Sequence, residues 1–422
     1  MHDETKLIHS GYKPGNKDPR QVPIIQSTTY TFDSSDDIAA VFDEPTHALI
    51  YSRFANPTVM AVEEKMADLE GGAAAMATSS GQAATALTIM NLCSAGDSFV
   101  ASSEIYGGSS NLFSSTLKRF GIEVIYVDQD APEEEIAAAF KPNTKALFGE
   151  ILANPAMSVL DVEKFARIAH AQGVPLVVDN TFATPVLCKP IELGADIVVH
   201  STSKYLDGHA IQVGGMIIDS GKFDFTNGKF PGFTEPDESY HGVVYTRDYA
   251  VAPFVIKARM QLQRDFGAYP AAHSAFMLSN SLESLDVRMQ RHCENAQKVA
   301  EYLATRTDLI SEVRYPGLES SPYYELARKQ LKGNSGVVTI DIKGGREAGT
   351  KFMDALKLVT RQVHVADARS CVLHPASTTH RQVPDEQLPS VGITPGLVRL
   401  SIGLENVEDL IEDIEQALAA IE

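Results

Sequence analysis

The 422-residue chain has no tryptophan and only four cysteines, Cys93, Cys188, Cys293 and Cys371, none of them in a Cys-x-x-Cys pair. That spacing argues against a disulfide framework and against a zinc site, and it fits a reducing cytoplasm. No apolar run reaches the roughly 18 residues that suggest a membrane span. The opening MHDETKLIHSGY lacks the basic and apolar stretches of a secretory leader, so a cytoplasmic location is expected. Basic residues are scarce, 36 against 55 acidic ones, giving a net charge of −19. Such a charge disfavours nucleic acid or an anionic membrane as partner. Any anionic ligand must therefore be held by local donors. Neither Gly-x-Gly-x-x-Gly nor a P-loop motif occurs, which speaks against dinucleotide and P-loop sites. There is no internal repeat and no low-complexity tract.

What is present is a chain of ordinary hydrophobic content, 44%, long enough for two or three domains. The stretch DIVVHSTSKYLDGHAIQVGG, residues 196–215, reads as a short buried strand that ends in Ser201, Thr202 and Ser203. Lys204 follows, then a loop with Gly208, Gly214 and Gly215. A lysine just past a strand end sits where open α/β sheets bind ligands. It can form a Schiff base with a carbonyl cofactor, and hydroxyls beside it can hold a phosphate. Alone, such a lysine is equally compatible with a surface loop. Upstream, VPLVVDN ends another strand at Asp179, followed by Asn180 and Thr181. A carboxylate there can keep a cofactor's pyridine nitrogen protonated, although a lone Asp at a strand end is also a common turn cap. The pair suggests pyridoxal 5′-phosphate.

These residues carry a family resemblance. DIVVHSTSKYLDGH resembles the lysine signature of the pyridoxal-phosphate enzymes of cysteine and methionine metabolism, with Ser203 for the usual Thr and Ala210 for the usual Gly, Ser, Asn or His. The resemblance runs from YSRFANPT to LVRLSIG. It implies an α/β, fold-type I transferase of the aspartate aminotransferase kind. A large, mostly parallel, seven-stranded-type sheet domain would be followed by a smaller C-terminal α/β domain. The expected divisions are an arm at 1–60 contacting a neighbouring subunit, a coenzyme domain at 61–268 and a C-terminal domain at 269–422.

Local patterns agree with that layout. Prolines 14, 19, 23 and 45 break the first 55 residues, where VPIIQSTTYTF reads as one short strand. Asn56, Pro57 and Gly71 bracket a helix. Strands and helices then alternate from 96 to 200, with strands at FVASS, IEVIYVD, TKALFGEIL, VPLVV and DIVVH. Ser80, Gly81 and Gln82 open a helix after a strand, where free N–H groups can bind an anion. Tyr51 and Arg53, two apart, share one side of an extended segment and could grip a phosphate. Arg399 lies mid-strand in LVRLSIG, where a charge between apolar neighbours needs a partner. Residues 219–253, rich in Gly, Pro and aromatics, read as a long ordered loop on the active-site side or as an insertion without a role.

The resemblance gives these residues roles. Lys204 would carry the coenzyme and act as base, over the Asp179 charge. Ser80, Gly81, Gln82, Thr181, Ser201 and Ser203 would line the coenzyme site. Tyr106 would stack on the ring and assist proton transfers. Asn154 would bond the phenolic oxygen. Tyr51 and Arg53 would reach a neighbour's phosphate, with Tyr51 also near substrate. Arg399 and Ser370 would hold the substrate carboxylate. The assembly implied is a homo-oligomer, a tetramer made as a dimer of dimers with shared active sites, and no metal is called for.

Within the family, ESSPYYELARK, GGREAG, HPASTTH and the 219–253 insertion resemble the O-acetylhomoserine sulfhydrylases. Gly108 and Arg369 depart from what γ-lyases carry. The expected reaction is replacement of acetate on O-acetyl-L-homoserine by sulfide or methanethiol. The alternative is a methionine γ-lyase or a cystathionine γ-synthase or lyase type of enzyme.

Overall fold

Between residues 74 and 219 the apolar runs pair into one sheet. The computed structural model describes residues 1–43, 49–382, 384–386, 388 and 393–421, so Pro45 lies outside the described residues. The strands are β1 (Ala74–Thr78), β2 (Ser98–Ser102), β3 (Glu123–Val127), β4 (Thr144–Glu150), β5 (Leu176–Asp179), β6 (Ile197–Ser201) and β7 (Gly215–Asp219). Their order is β1-β7-β6-β5-β4-β2-β3. Only β7 runs antiparallel to its neighbours. Successive residues of a strand enter opposite cores: Val178, Val198 and Ile218 pack on one face, Val177, Val199 and Ile217 on the other. Both faces are buried, which is why these strands read as continuous apolar runs rather than alternating ones.

Four helices fix the amino-terminal half. α1 (Asp3–His9) and α2 (Ser35–Asp43) belong to the arm, α3 (Pro57–Glu70) leads into β1, and α4 (Gly81–Leu92) leaves it. As expected, the Asn56 side chain accepts from Thr58 N and Gly71, at φ 74°, ends α3. The Ser80 hydroxyl accepts from Ala83 N at the start of α4.

A second sheet, in the order β10-β11-β12-β9-β8, forms the smaller domain. It comprises β8 (Ile310–Arg314), β9 (Val337–Ile342), β10 (Thr360–Arg361), β11 (Cys371–Leu373) and β12 (Leu397–Ser401). The helix Leu285–Thr305 joins the domains. Its Leu285 and Met289 pack in the first core, and its Ala296, Val299 and Leu303 in the second. The helix Ala272–Leu282 also packs on the first core through Ala275, Leu278 and Leu282. The division between the two cores therefore falls inside the long helix rather than at residue 268. Among the described residues no helix is long and apolar enough to cross a membrane.

One expected strand needs correction, one strand was not foreseen, and one of the two readings of 219–253 falls. VPIIQSTTYTF is not a strand: it makes only an isolated bridge from Thr29 to Tyr51, and its other bonds to the neighbouring 52–58 segment run largely through the Asn56 and Thr58 side chains rather than a backbone ladder. Strand β7 was hidden by the glycines that open it. The 219–253 stretch is not a loop at the carboxyl ends of the strands. Its short helical turns bury Phe225, Phe230, Phe233, Tyr240 and Tyr245, with Phe225 stacked on Phe233 at 4.2 Å. Lys145 at the start of β4 donates to Lys229 O, and Lys229 donates to Gln172 O just before β5. The stretch thus caps the amino ends of the parallel strands.

Beneath the carboxyl ends lies a buried polar clamp. Glu70, the last residue of α3, accepts from Asn180 Nδ2 at 2.8 Å and lies 2.6 Å from His200 Nε2. All three side chains are buried, one residue away from Asp179 and Ser201. Removing one member of a buried hydrogen-bonded cluster leaves the others unsatisfied, at a cost of about 1–3 kcal/mol. Glu70→Ala should lower stability by that amount, read as a lower urea midpoint with an unchanged slope.

Candidate active site

The carboxyl ends of β1, β4, β5 and β6 open on one cavity of about 1030 Å³. Its walls include Ser80, Gly81, Gln82, Tyr106, Glu150, Asn154, Asp179, Thr181, Ser201, Ser203, Lys204 and Arg399. Parallel strands all end at this edge, and the following turns supply the polar groups. Arg399 comes from the other domain, mid-way along β12, so the cavity needs both sheets.

Each group has a local cause. Asp179 ends β5, and its Oδ1 accepts from both the N–H and the hydroxyl of Thr181. Thr181 Oγ1 in turn accepts from Ser201 N, tying the ends of β5 and β6 together. Burial pushes the Asp179 carboxyl up, opposed by the Thr181 bonds and more weakly by His200. The described residues include no ion pair to it. Glu150 sits opposite Asp179 in the β4–β5 register and accepts from Tyr106 N at 2.6 Å. Its carboxyl is held well above the ordinary range by burial and by the Asp179 charge. Two neighbouring carboxyls in one buried place cannot both ionise cheaply.

The Lys204 amine lies 3.3 Å from Nδ1 of His364. Burial lowers its pKa to about 8, and the nearby Arg399 charge adds to the effect. The Arg399 guanidinium is buried. It donates to Asn154 Oδ1 at 3.2 Å and to the carbonyls of Val363 and His364 at 3.1 and 3.2 Å. Its Nε has no partner among the described residues, and no described carboxylate pairs with it. The structural ion pair that a mid-strand arginine suggests is therefore absent there.

These groups fit pyridoxal phosphate. At the start of α4, Ser80 satisfies Ala83 N and Ala84 N, leaving the first two helical N–H groups, Gly81 and Gln82, for an external acceptor. A Cβ on Gly81 would lie 2.6 Å from that of Ser201, so backbone and hydroxyl meet only because residue 81 is glycine. Ser203 Oγ is anchored by Gly214 N. An anion cradle, a buried carboxylate without a cation and an amine of lowered pKa are the donor set the coenzyme needs.

Not every expected residue is in the cavity. Ser370 is buried, its hydroxyl held by Glu405 Oε2 at 3.0 Å and by Gly403 N at 2.7 Å, and it does not line the walls. Its expected contact with the substrate carboxylate has no support here, because the hydroxyl is already committed. Tyr51 and Arg53 also lie outside their own chain's cavity. The Arg53 guanidinium donates to Arg264 O and sits 5.3 Å from the Tyr51 ring centroid. None of residues 219–253 lines the cavity.

Glu150 and His364 escaped the sequence reading. Glu150 carried a signal, a carboxylate ending a strand in the same way as Asp179. His364 carried none, since it lies in an irregular segment that only the β12 packing brings near Lys204. The HPASTTH stretch does reach the site through Pro375, Thr379 and His380. GGREAG explains its position: Arg346 donates to Ala376 O, and Gly349 leaves room for the His374 ring, 2.6 Å from where a Cβ would be. ESSPYYELARK only fastens the domains, through Tyr323 to Asp130 and Lys329 to Glu163.

The model of the family described as Cys/Met metabolism PLP-dependent enzyme matches residues 4–419. The chain is 44% identical to the O-acetyl-L-homoserine sulfhydrylase of Corynebacterium glutamicum over 99% of this chain and 97% of that protein. It is 42% identical to the homocysteine synthase of Schizosaccharomyces pombe, over 99% and 98% of the two chains. A solved structure of a putative O-acetylhomoserine (thiol)-lyase from Campylobacter jejuni, which contains a pyridoxyl-lysine monophosphate, superposes with a TM-score of 0.94 at 38% identity, covering 99% of this chain and all of that one.

In the cofactor-free protein, acetylation of Lys204 should be half-maximal near pH 8, against about 10.5 for an unperturbed lysine. Peptide mass spectrometry across a pH series measures it. A profile matching the bulk lysines would mean that burial does not unmask the amine.

Proposed function

From a chain that belongs to the Cys/Met metabolism PLP-dependent enzyme family, we propose an enzyme that replaces the acetoxy group of O-acetyl-L-homoserine by sulfide, breaking the Cγ–O bond and forming Cγ–S, to give L-homocysteine and acetate. Methanethiol in place of sulfide would give methionine. The observation that carries the amino-acid substrate is Arg399: a buried guanidinium whose Nε has no partner and which has no carboxylate among the described residues, in the same cavity as Lys204. A carboxylate is the ligand that such a fork lacks. The relatives' names support the thiol acceptor.

Pyridoxal phosphate, when bound, supplies an electron sink for charge developing at the substrate's Cα. Asp179 would keep that sink charged, as the buried carboxylate that holds the ring nitrogen protonated. Gly81, Gln82 and Ser201 hold the phosphate. Arg399 fixes the α-carboxylate and so aims the Cα–H bond. Lys204, its amine neutral above about pH 8 and increasingly so as pH approaches it, takes the Cα proton at Nζ. A depressed amine pKa near the working pH is what a base needs. Tyr106, 47% exposed and part of the cavity wall, would assist the departure of acetate through its hydroxyl. Its ring folds over Gly108, where a side chain would strike it. Loss of acetate and addition of sulfide at Cγ balance without any oxidant.

The sites are proposed to be shared. Tyr51 is 38% exposed and remote from its own cavity, and the arm shows Ile24, Ile38 and Phe42 to solvent. A neighbouring subunit would cover them, in a dimer of dimers.

Steady-state assays with O-acetylhomoserine, with and without sulfide, should give homocysteine as main product when sulfide is present. Dominant 2-oxobutanoate under those conditions would favour the γ-lyase reading. Separately, mixing inactive Tyr51→Phe and Lys204→Ala subunits should restore part of the activity, because one site in a mixed dimer is then intact. Verified mixed dimers without recovery would exclude sharing.

A further inference from the structure

Among the described residues the Lys204 amine has one hydrogen-bond partner, Nδ1 of His364. His364 lies between β10 and β11, in a segment without regular structure that is nonetheless fastened at several points. Its carbonyl accepts from Arg399 Nη2 and from Cys371 Sγ, both at 3.2 Å. Two residues on, Ala366 N donates to Ser401 Oγ, and Ala368 N donates to Gly208 O in the loop after Lys204. Ala366 holds φ at 67°, a left-handed conformation that costs an L residue about 1–2 kcal/mol and persists only where the surroundings impose it. The ring is thus held against the lysine from the substrate arginine on one side and from the lysine's own loop on the other.

A charged amine can only donate, so Nδ1 accepts and the ring proton sits on Nε2. That nitrogen is buried with no partner among the described residues. The charged and titratable groups facing the ring are Lys204, Arg399, Asp367, Asp207 and Cys371. Burial and the two cations hold the imidazole below its ordinary range, against the two aspartates. Near neutral pH the ring is therefore an uncharged acceptor. Protonated, it would be a third cation beside Lys204 and Arg399, and Nδ1 would be a donor.

We propose that His364 is a positioning residue for Lys204: its neutral imidazole holds the amine whenever the amine is not joined to the coenzyme, and protonation of the ring ends that hold. The substrate carboxylate site and the catalytic amine are then linked through one residue, by its carbonyl on Arg399 and its ring on Lys204. The proposal rests on Lys204 being the reactive amine, and its test is placed where turnover is not required.

Wild type, His364→Asn and His364→Phe are compared in the cofactor-free state by the pH dependence of Lys204 acetylation. A neutral acceptor favours the ammonium, so its loss in the phenylalanine variant should lower the labelling midpoint by about one pH unit. Asparagine, which keeps an acceptor oxygen near the Nδ1 position, should return the midpoint towards wild type. In the holoenzyme, the acid limb of kcat, which reports the complex in which the amine is free of the coenzyme, should lose one ionisation in the asparagine variant. If the phenylalanine variant does not fold, His364→Ala serves the same reading. An unchanged midpoint in the variant that lacks an acceptor overturns the proposal, as does a shift that asparagine fails to reverse. An acid limb retained by asparagine removes the protonation step. If Lys204→Ala keeps the cofactor covalently bound, the assignment of Lys204 falls instead, a separate result.

Discussion

The architecture depends on keeping ionisable groups buried and unpaired. Among the described residues Asp179 faces the cavity without a cation, Lys204 without an anion, and Arg399 without a carboxylate. Each such group costs several kcal/mol relative to water unless something compensates. They could neutralise one another if they met, but the fold prevents it. Asp179 and Lys204 leave different strands of the first sheet, and Arg399 is anchored in the second. A coenzyme with a cationic ring and an aldehyde would relieve the first two, and a substrate carboxylate the third. That is why binding and reactivity in such a site have a common electrostatic origin.

What sustains the cost is apolar packing on both sides of the first sheet, together with clamps that stiffen its carboxyl edge. The Glu70–His200–Asn180 cluster sits directly under Asp179 and Ser201. Thr181 ties β5 to β6 a residue further on. At the other edge, the aromatic stretch at 219–253 seals the amino ends of the strands. The polar edge is free to open on a cavity because the opposite edge is closed with phenylalanine.

Much of this was legible because it is local. A strand followed at once by Ser-Thr-Ser-Lys, or by Asp-Asn-Thr, states its chemistry in consecutive residues, and the caps Asn56 and Ser80 read directly. Arg399 was legible as a charge out of place in an apolar strand. What could not be read depends on distant packing. His364 meets Lys204 across 160 positions of sequence. Ser370 has the right residue type for a carboxylate site, yet Glu405 and Gly403 claim its hydroxyl first. The aromatic stretch at 219–253 announces order but not which end of the sheet it covers. The passage from one core to the other carries no mark in the sequence, because one long helix contributes to both with no break in its periodicity.

The same contrast bears on how one branch of a family differs from another. HPASTTH touches the cavity, whereas GGREAG lies behind it and acts through Arg346 on Ala376 and through the space that Gly349 leaves for His374. A bulkier residue at 349 would have to displace the histidine, whose Nδ1 lies 2.8 Å from Ser377 Oγ and whose Nε2 lies 2.9 Å from Pro395 O. Moving it would shift Pro375 and Thr379 on the cavity wall. Two motifs separated by some thirty residues therefore form one mechanical unit, and swapping either alone between enzymes of this family should disturb the wall rather than transfer a specificity.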